Sequence, residues 1–137
     1  MLMSPEELTA RFRREIDRRG TDDRYIDADE ERELLQIALA FGFEAAKGRA
    51  VLAEVCGERG YVRERAVREA VRADLAKCGG RPLRKRDFAR LVAGVVPLIA
   101  GTGRTARDAR RLVAEEVADG GVAVRSRWPF DWWKRLA

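Results

Sequence analysis

Six carboxylates fall within ten residues: Asp22, Asp23, Asp27, Asp29, Glu30 and Glu31. Paired carboxylates can exchange protons with a substrate or hold a hard cation. Their position argues for a plainer use. Asp27 precedes an apolar-periodic run and Glu30 follows three residues later, the pattern of a capping box, and acids in a first helical turn complement the helix dipole. The chain has no histidine, and its two cysteines, Cys56 and Cys78, form no CxxC pair. Ser-His and Cys-His catalysis and a zinc site therefore lack their parts. Cys56 sits among Val51, Leu52 and Val55 at helical core spacing, where a free thiol behaves as a small hydrophobe. Gly101-Thr102-Gly103 has neither the lysine nor the strand of a phosphate loop and reads as a turn. No enzymatic activity, metal, cofactor or small-molecule substrate is expected.

Charge is the second chemistry. Residues 1–62 carry 14 acidic and 10 basic side chains, net −4; residues 63–137 carry 9 and 18, net +9. Arg81, Arg84, Lys85, Arg86 and Arg90 crowd one helix start, and Arg104, Arg107, Arg110 and Arg111 follow on a later helix. Such a patch could meet several phosphates, with steep salt dependence. The spacing around "CGGRPLRK" is not that of a helix-turn-helix, and a solvated face paired with local carboxylates accounts for the same charges.

Third is the tail, "WPFDWWKRLA", which holds all three tryptophans, Trp128, Trp132 and Trp133, with Phe130 and Leu136. Three uses are open. The tail can fold back as a cap on the helices, present an exposed docking motif of the kind that dominates interface hot spots, or anchor at a membrane surface.

These groups need a frame, and the sequence spells helices. In "SPEE", Ser4 is an N-cap, Pro5 suits the first helical position and Glu7 closes a capping box; Leu8, Phe12 and Ile16 form one stripe, and Gly20 ends it. The second helix, opened by Asp27, carries Leu34, Leu35, Ile37, Ala38, Leu39 and Phe41 and is apolar nearly all round until Gly42, which marks a central element. A third directs Ala50, Val51, Leu52, Ala53 and Val55 inward. The fourth sets Val67, Val71 and Leu75 at i, i+4, i+8 until Gly79 and Gly80 stop it. A fifth offers Phe88, Leu91, Val92, Val95, Val96 and Ile99, with Pro97 as a kink or early end. The sixth has Thr102 or Thr105 as N-cap and ends at Gly120–Gly121. The expectation is an all-α fold, one 137-residue domain built as a compact bundle of about six helices.

Shifting the chain by 57 residues lays "IDADEERELL" on "LRKRDFARLV", matching Ile26 to Leu83 and Glu30 to Asp87. A shift of 61 lays "VLAEVCGERGYV" on "LVAEEVADGGVA". Either the chain is duplicated or Arg/Ala/Glu-rich helices match by chance. Under duplication the parts would be an N-terminal helix (1–20), a first repeat (21–62), a bridging helix (63–80), a second repeat (81–122) and the aromatic tail (123–137). Each repeat opens like a degenerate EF-hand loop, with an apolar residue at loop position eight and an acid at twelve. Arg24 stands where the loop needs glycine, and too few oxygen ligands remain for calcium.

"YIDADEERELLQIALAFG" and its weaker second copy resemble the helical domains related to the tellurite-resistance protein TerB. The resemblance covers about residues 20–120. It implies a compact, internally duplicated all-helical fold that works as a scaffold or sensor in bacterial stress and conflict systems. The acidic clusters of that family are only half present here, because the second copy has turned basic.

No apolar run reaches the ~18–20 residues of a membrane span, and "MLMSPEELTARF" lacks a signal-peptide pattern; a cytoplasmic protein is expected. The functional expectation is a protein-interaction, adaptor or assembly module with a protein partner. Opposite-sign halves would also permit self-association. The alternative is nucleic-acid binding through the Arg-rich half.

Overall fold

A computed structural model of the chain describes residues 3–121 and Val124. Its elements are helix α1 (Pro5–Gly20), strand β1 (Tyr25–Ile26), α2 (Ala28–Ala40), α3 (Ala45–Arg59), β2 (Val62–Arg63), α4 (Glu64–Ala76), α5 (Lys85–Val95), a 3-10 turn (Val96–Ile99) and α6 (Ala106–Asp119). The architecture is all-α, with six helices among the described residues.

The helix starts follow their sequence signals. Ser4 Oγ accepts from the Glu7 N–H (3.2 Å) while Glu7 Oε2 accepts from the Ser4 N–H (3.3 Å). Asp27 and Glu30 close the same reciprocal box at the start of α2, and Thr105, rather than Thr102, closes it with Asp108 at α6. Pro97 has no N–H to continue α5, which ends at Val95 and tightens into the 3-10 turn.

The chain divides into two compact units, residues 1–64 and 65–137. In the first, α2 and α3 form a hairpin whose ends are clasped. β1, just before α2, pairs in parallel with β2, just after α3, matching Tyr25 to Val62 and Ile26 to Arg63. Helix α1 packs on both hairpin helices. Phe12, Ile16, Ile26, Leu34, Ala38, Phe43, Leu52 and Val55 belong to one buried cluster. In α3 the buried stripe is Val51, Leu52, Val55 and Cys56. Ala50 and Ala53, expected inward, are exposed, because the helical step of 3.6 residues per turn carries them to the outer side.

In the second unit α5 and α6 form the corresponding hairpin, and its clasp is a parallel bridge between Leu83 and Val124. Helix α4, expected as a bridge between repeats, belongs to this unit from Arg65 onward. Ion pairs tie it to α6, Arg68 to Glu115 and Glu116 and Arg72 to Glu116.

The two units agree position by position in the sequence registers. The Ile26–Arg63 and Leu83–Val124 pairings coincide. Buried Leu34 and Leu52 correspond to buried Leu91 and Val113. Gly60 and Gly121, with φ of 73° and 62°, both turn the chain left-handed after the last helix of their unit, where glycine alone escapes a Cβ penalty. A register of 55 residues adds the first helices. Phe12 and Ile16 match Val67 and Val71, all buried, and the Arg13–Glu54 pair matches Arg68–Glu115.

Candidate functional site

The acidic segment is spent on local structure. Asp27 and Glu30 cap α2, and Asp23 Oδ1 accepts from the Tyr25 N–H at 3.1 Å. Asp29 pairs with Arg32 at 3.1 Å, Glu33 with Arg19, and the buried Glu31 with Arg63 at 3.4 Å. Burial, reinforced by the neighbouring Asp27 charge, pushes the Glu30 carboxyl above its ordinary range. Among the described residues no three carboxylates or thiols converge on a point that could hold a metal ion. Cys56 is buried, and burial pushes its thiol up to about 11.

Arg24 holds a φ of 60°, which its surroundings explain. Its N–H donates to the Gly20 carbonyl at 2.8 Å, its carbonyl accepts from the Val62 N–H at 2.8 Å, and its Nη2 donates to the Arg59 carbonyl at 3.1 Å. The guanidinium thus covers a carbonyl at the C-terminal end of α3, where a cation is favoured.

The expected basic patch is divided. Arg81, Arg84, Lys85 and Arg86 gather at the start of α5 and Arg107 stands in the first turn of α6, whereas Arg90 and Arg111 lie near the middle of their helices. The clasp brings the start of α5 to the end of α6, so the hairpin is antiparallel and Arg107 lies about 18 Å along α6 from the end nearest Lys85 and Arg86. Within the first group Arg81 is engaged, its Nη1 and Nη2 donating to Asp87 Oδ2 and Oδ1 at 2.8 and 2.9 Å. Those bonds, with the Arg84 N–H donated at 2.9 Å, hold the Asp87 carboxyl far below the usual carboxylate range. Arg111 is paired with Asp108. Arg84, Lys85, Arg86 and Arg90 are exposed and make no side-chain ion pair among the described residues.

Sequence patterning did not single out the exposed apolar positions. Leu39 on α2 is 56% exposed, and Val96 and Leu98 in the 3-10 turn are 41% and 43% exposed. Both Leu39 and Val96 were expected on buried faces. Each lies beyond the last buried residue of its helix, Ala38 or Val95, on the far side of the turn. Leu39 and Val96 are partners in the 57-residue register, which is the one signal that could have paired them. Ala93, Gly94, Pro97 and Ala100 are exposed around Val96 and Leu98, so residues 93–100 themselves bring no charge to this surface, and the Asp74 carboxylate borders it at Gly94.

The candidate tail residues Trp128, Phe130, Trp132, Trp133 and Leu136 lie outside the described residues. No described helix is long and apolar enough to cross a membrane. Comparison of the chain with protein-family models, curated proteins and solved structures finds no match in any of the three.

Proposed function

We propose that the chain is a non-enzymatic protein-interaction module, built as a duplicated three-helix unit and serving the adaptor or assembly role implied by its likeness to TerB-like domains. The observation that carries this reading is the exposed apolar pair Val96 and Leu98, with Leu39 exposed at the corresponding place in the first unit. Large aliphatic side chains left about half in water forgo roughly half of the ~1.5–3 kcal/mol that full burial gives each, and a partner that covers them recovers it. Of the clustered carboxylates, by contrast, Asp23, Asp27, Asp29, Glu30 and Glu31 are engaged in turns, caps and ion pairs.

Affinity capture with the whole chain, compared with a Leu39→Asp/Val96→Asp/Leu98→Asp variant of equal helicity, tests the reading. A partner retained by the first and lost by the second supports it; one retained equally by both removes the apolar surface as the site.

A second reading, nucleic-acid binding, draws on the exposed cations Arg84, Lys85, Arg86 and Arg90. Four phosphate contacts would give a slope of about −3.6 for log K against log salt on a duplex. Duplex binding with that slope, weakened in a Lys85→Ala/Arg86→Ala/Arg90→Ala variant, would replace the protein-interaction reading.

A further inference from the structure

The second unit carries an open groove of about 470 Å³ at the C-terminal ends of α4 and α6, lined by Arg72, Leu75, Ala76, Glu116, Asp119 and Gly120. In the first unit the matching place is filled. Leu75 and Arg72 stand where that unit has Gly20 and Asp17. There the Tyr61 ring lies on Gly20, so close that a Cβ would meet it at 2.5 Å, and the Tyr61 hydroxyl donates to Asp17 Oδ1 at 2.9 Å. In the 61-residue register Tyr61 corresponds to Val122, a side chain with no ring. The second unit thus keeps the seat while its sequence lacks the local aromatic.

We propose that this groove seats a tryptophan from the chain's own residues 125–137. All three tryptophans of the chain belong to that segment. The chain leaves α6 at the groove, since Gly120 lines it, and Val124 is held by its bridge to Leu83. Trp128 follows four residues later, a tether of at most about 14 Å. Leu75 and Ala76 give an apolar wall for an indole ring. Asp119, exposed and without an ion pair among the described residues, gives an acceptor for the indole N–H. Charge agrees as well: the segment has four basic residues and one acid, and Asp119 brings the groove a carboxylate in addition to the Arg72–Glu116 pair. The inference does not rest on the interaction reading above.

A quencher attached to the full chain tests it. Cys78 is two residues beyond Ala76 and partly exposed, whereas Cys56 is buried with its thiol pushed up to about 11. A thiol-reactive nitroxide at neutral pH therefore labels Cys78. With one tryptophan of three in the groove, the label removes about a third of the tryptophan emission, and the loss is unchanged on dilution. Ala76→Arg, which fills the mouth of the groove, restores that emission and opens the same share to acrylamide in the unlabelled chain. Asp119→Lys, at an exposed helix end that favours lysine, does the same by charge reversal and serves if Ala76→Arg fails to fold. Emission untouched by the label overturns the proposal without any variant. A loss that survives both substitutions in folded protein overturns it too, as does a loss that fades on dilution, which would assign the tryptophan to a second copy.

Discussion

Replacing Gly20 by alanine sets two effects against each other, and the structure decides the sign. Gly20 is the last residue of α1, and alanine is favoured over glycine in a helix interior by about 1 kcal/mol, less at an end. A Cβ there would meet Tyr61 Cδ2 and Cε2 at 2.5 Å and Cγ at 2.8 Å. Ordinary contact requires roughly 3.5–4.0 Å, so the ring must retreat by about 1 Å. The ring cannot do so freely, because its hydroxyl is held by Asp17 at 2.9 Å. Overpacking of this kind costs about 1–3 kcal/mol, and a strained or broken hydrogen bond adds about 0.5–1.5. Gly20→Ala is therefore expected to destabilise the chain by about 1–3 kcal/mol net. The assay is urea unfolding followed by far-ultraviolet circular dichroism, in a cycle with Tyr61→Ala. Without the ring, the same Gly20→Ala change should be neutral or stabilising by up to about 1 kcal/mol. In Tyr61→Phe, which keeps the ring but lacks the hydroxyl, it should remain costly. An unchanged or raised midpoint for Gly20→Ala alone, or an equal cost in both Tyr61 backgrounds, would refute the reasoning.

Two further substitutions probe charge and backbone. Burial works to raise the Glu116 carboxyl, but hydrogen bonds from Arg72 and Arg68 outweigh it and the carboxyl sits below its ordinary range. A carboxylate stabilised in the folded state contributes in full above its unfolded pKa, and that contribution is lost as pH falls through the folded one. Glu116→Gln should thus lower the unfolding midpoint at neutral pH and flatten its acid limb; parallel curves for variant and parent would sink this account. The cost at neutral pH is about 1–3 kcal/mol, less than for a fully buried pair, because Arg72 is 62% exposed and can return to water. At Arg24, alanine keeps the left-handed backbone and loses the bond to the Arg59 carbonyl, a loss of about 0.5–1.5 kcal/mol. Glycine loses the same bond but relieves about 1 kcal/mol of backbone cost, so Arg24→Gly should melt above Arg24→Ala. The reverse order would mean that the φ of 60° carries no strain.

The sequence alone determined the helices and most of their ends, because caps and stop signals act within a turn or two of the residues that carry them. Ser4 with Glu7, Asp27 with Glu30, and Pro97 after Val95 needed nothing distant to take effect. It also carried the registers in which the clasps later coincide. The position of α4 was not legible: Val67 and Val71 announce a buried face, but no local signal says which hairpin supplies the other side. The same limit explains the site. Arg81 and Arg111 look like members of a basic patch until Asp87 and Asp108 are seen beside them, and the antiparallel hairpin sends Arg107 to the end away from Arg86. Leu39 and Val96 fit a buried period, yet exposure depends on whether a neighbouring element covers that turn, and among the described residues none does. The groove beside Leu75 and the Tyr61 ring on Gly20 join residues more than 40 apart in sequence, so only the tertiary structure, which sets distances between segments, could produce either.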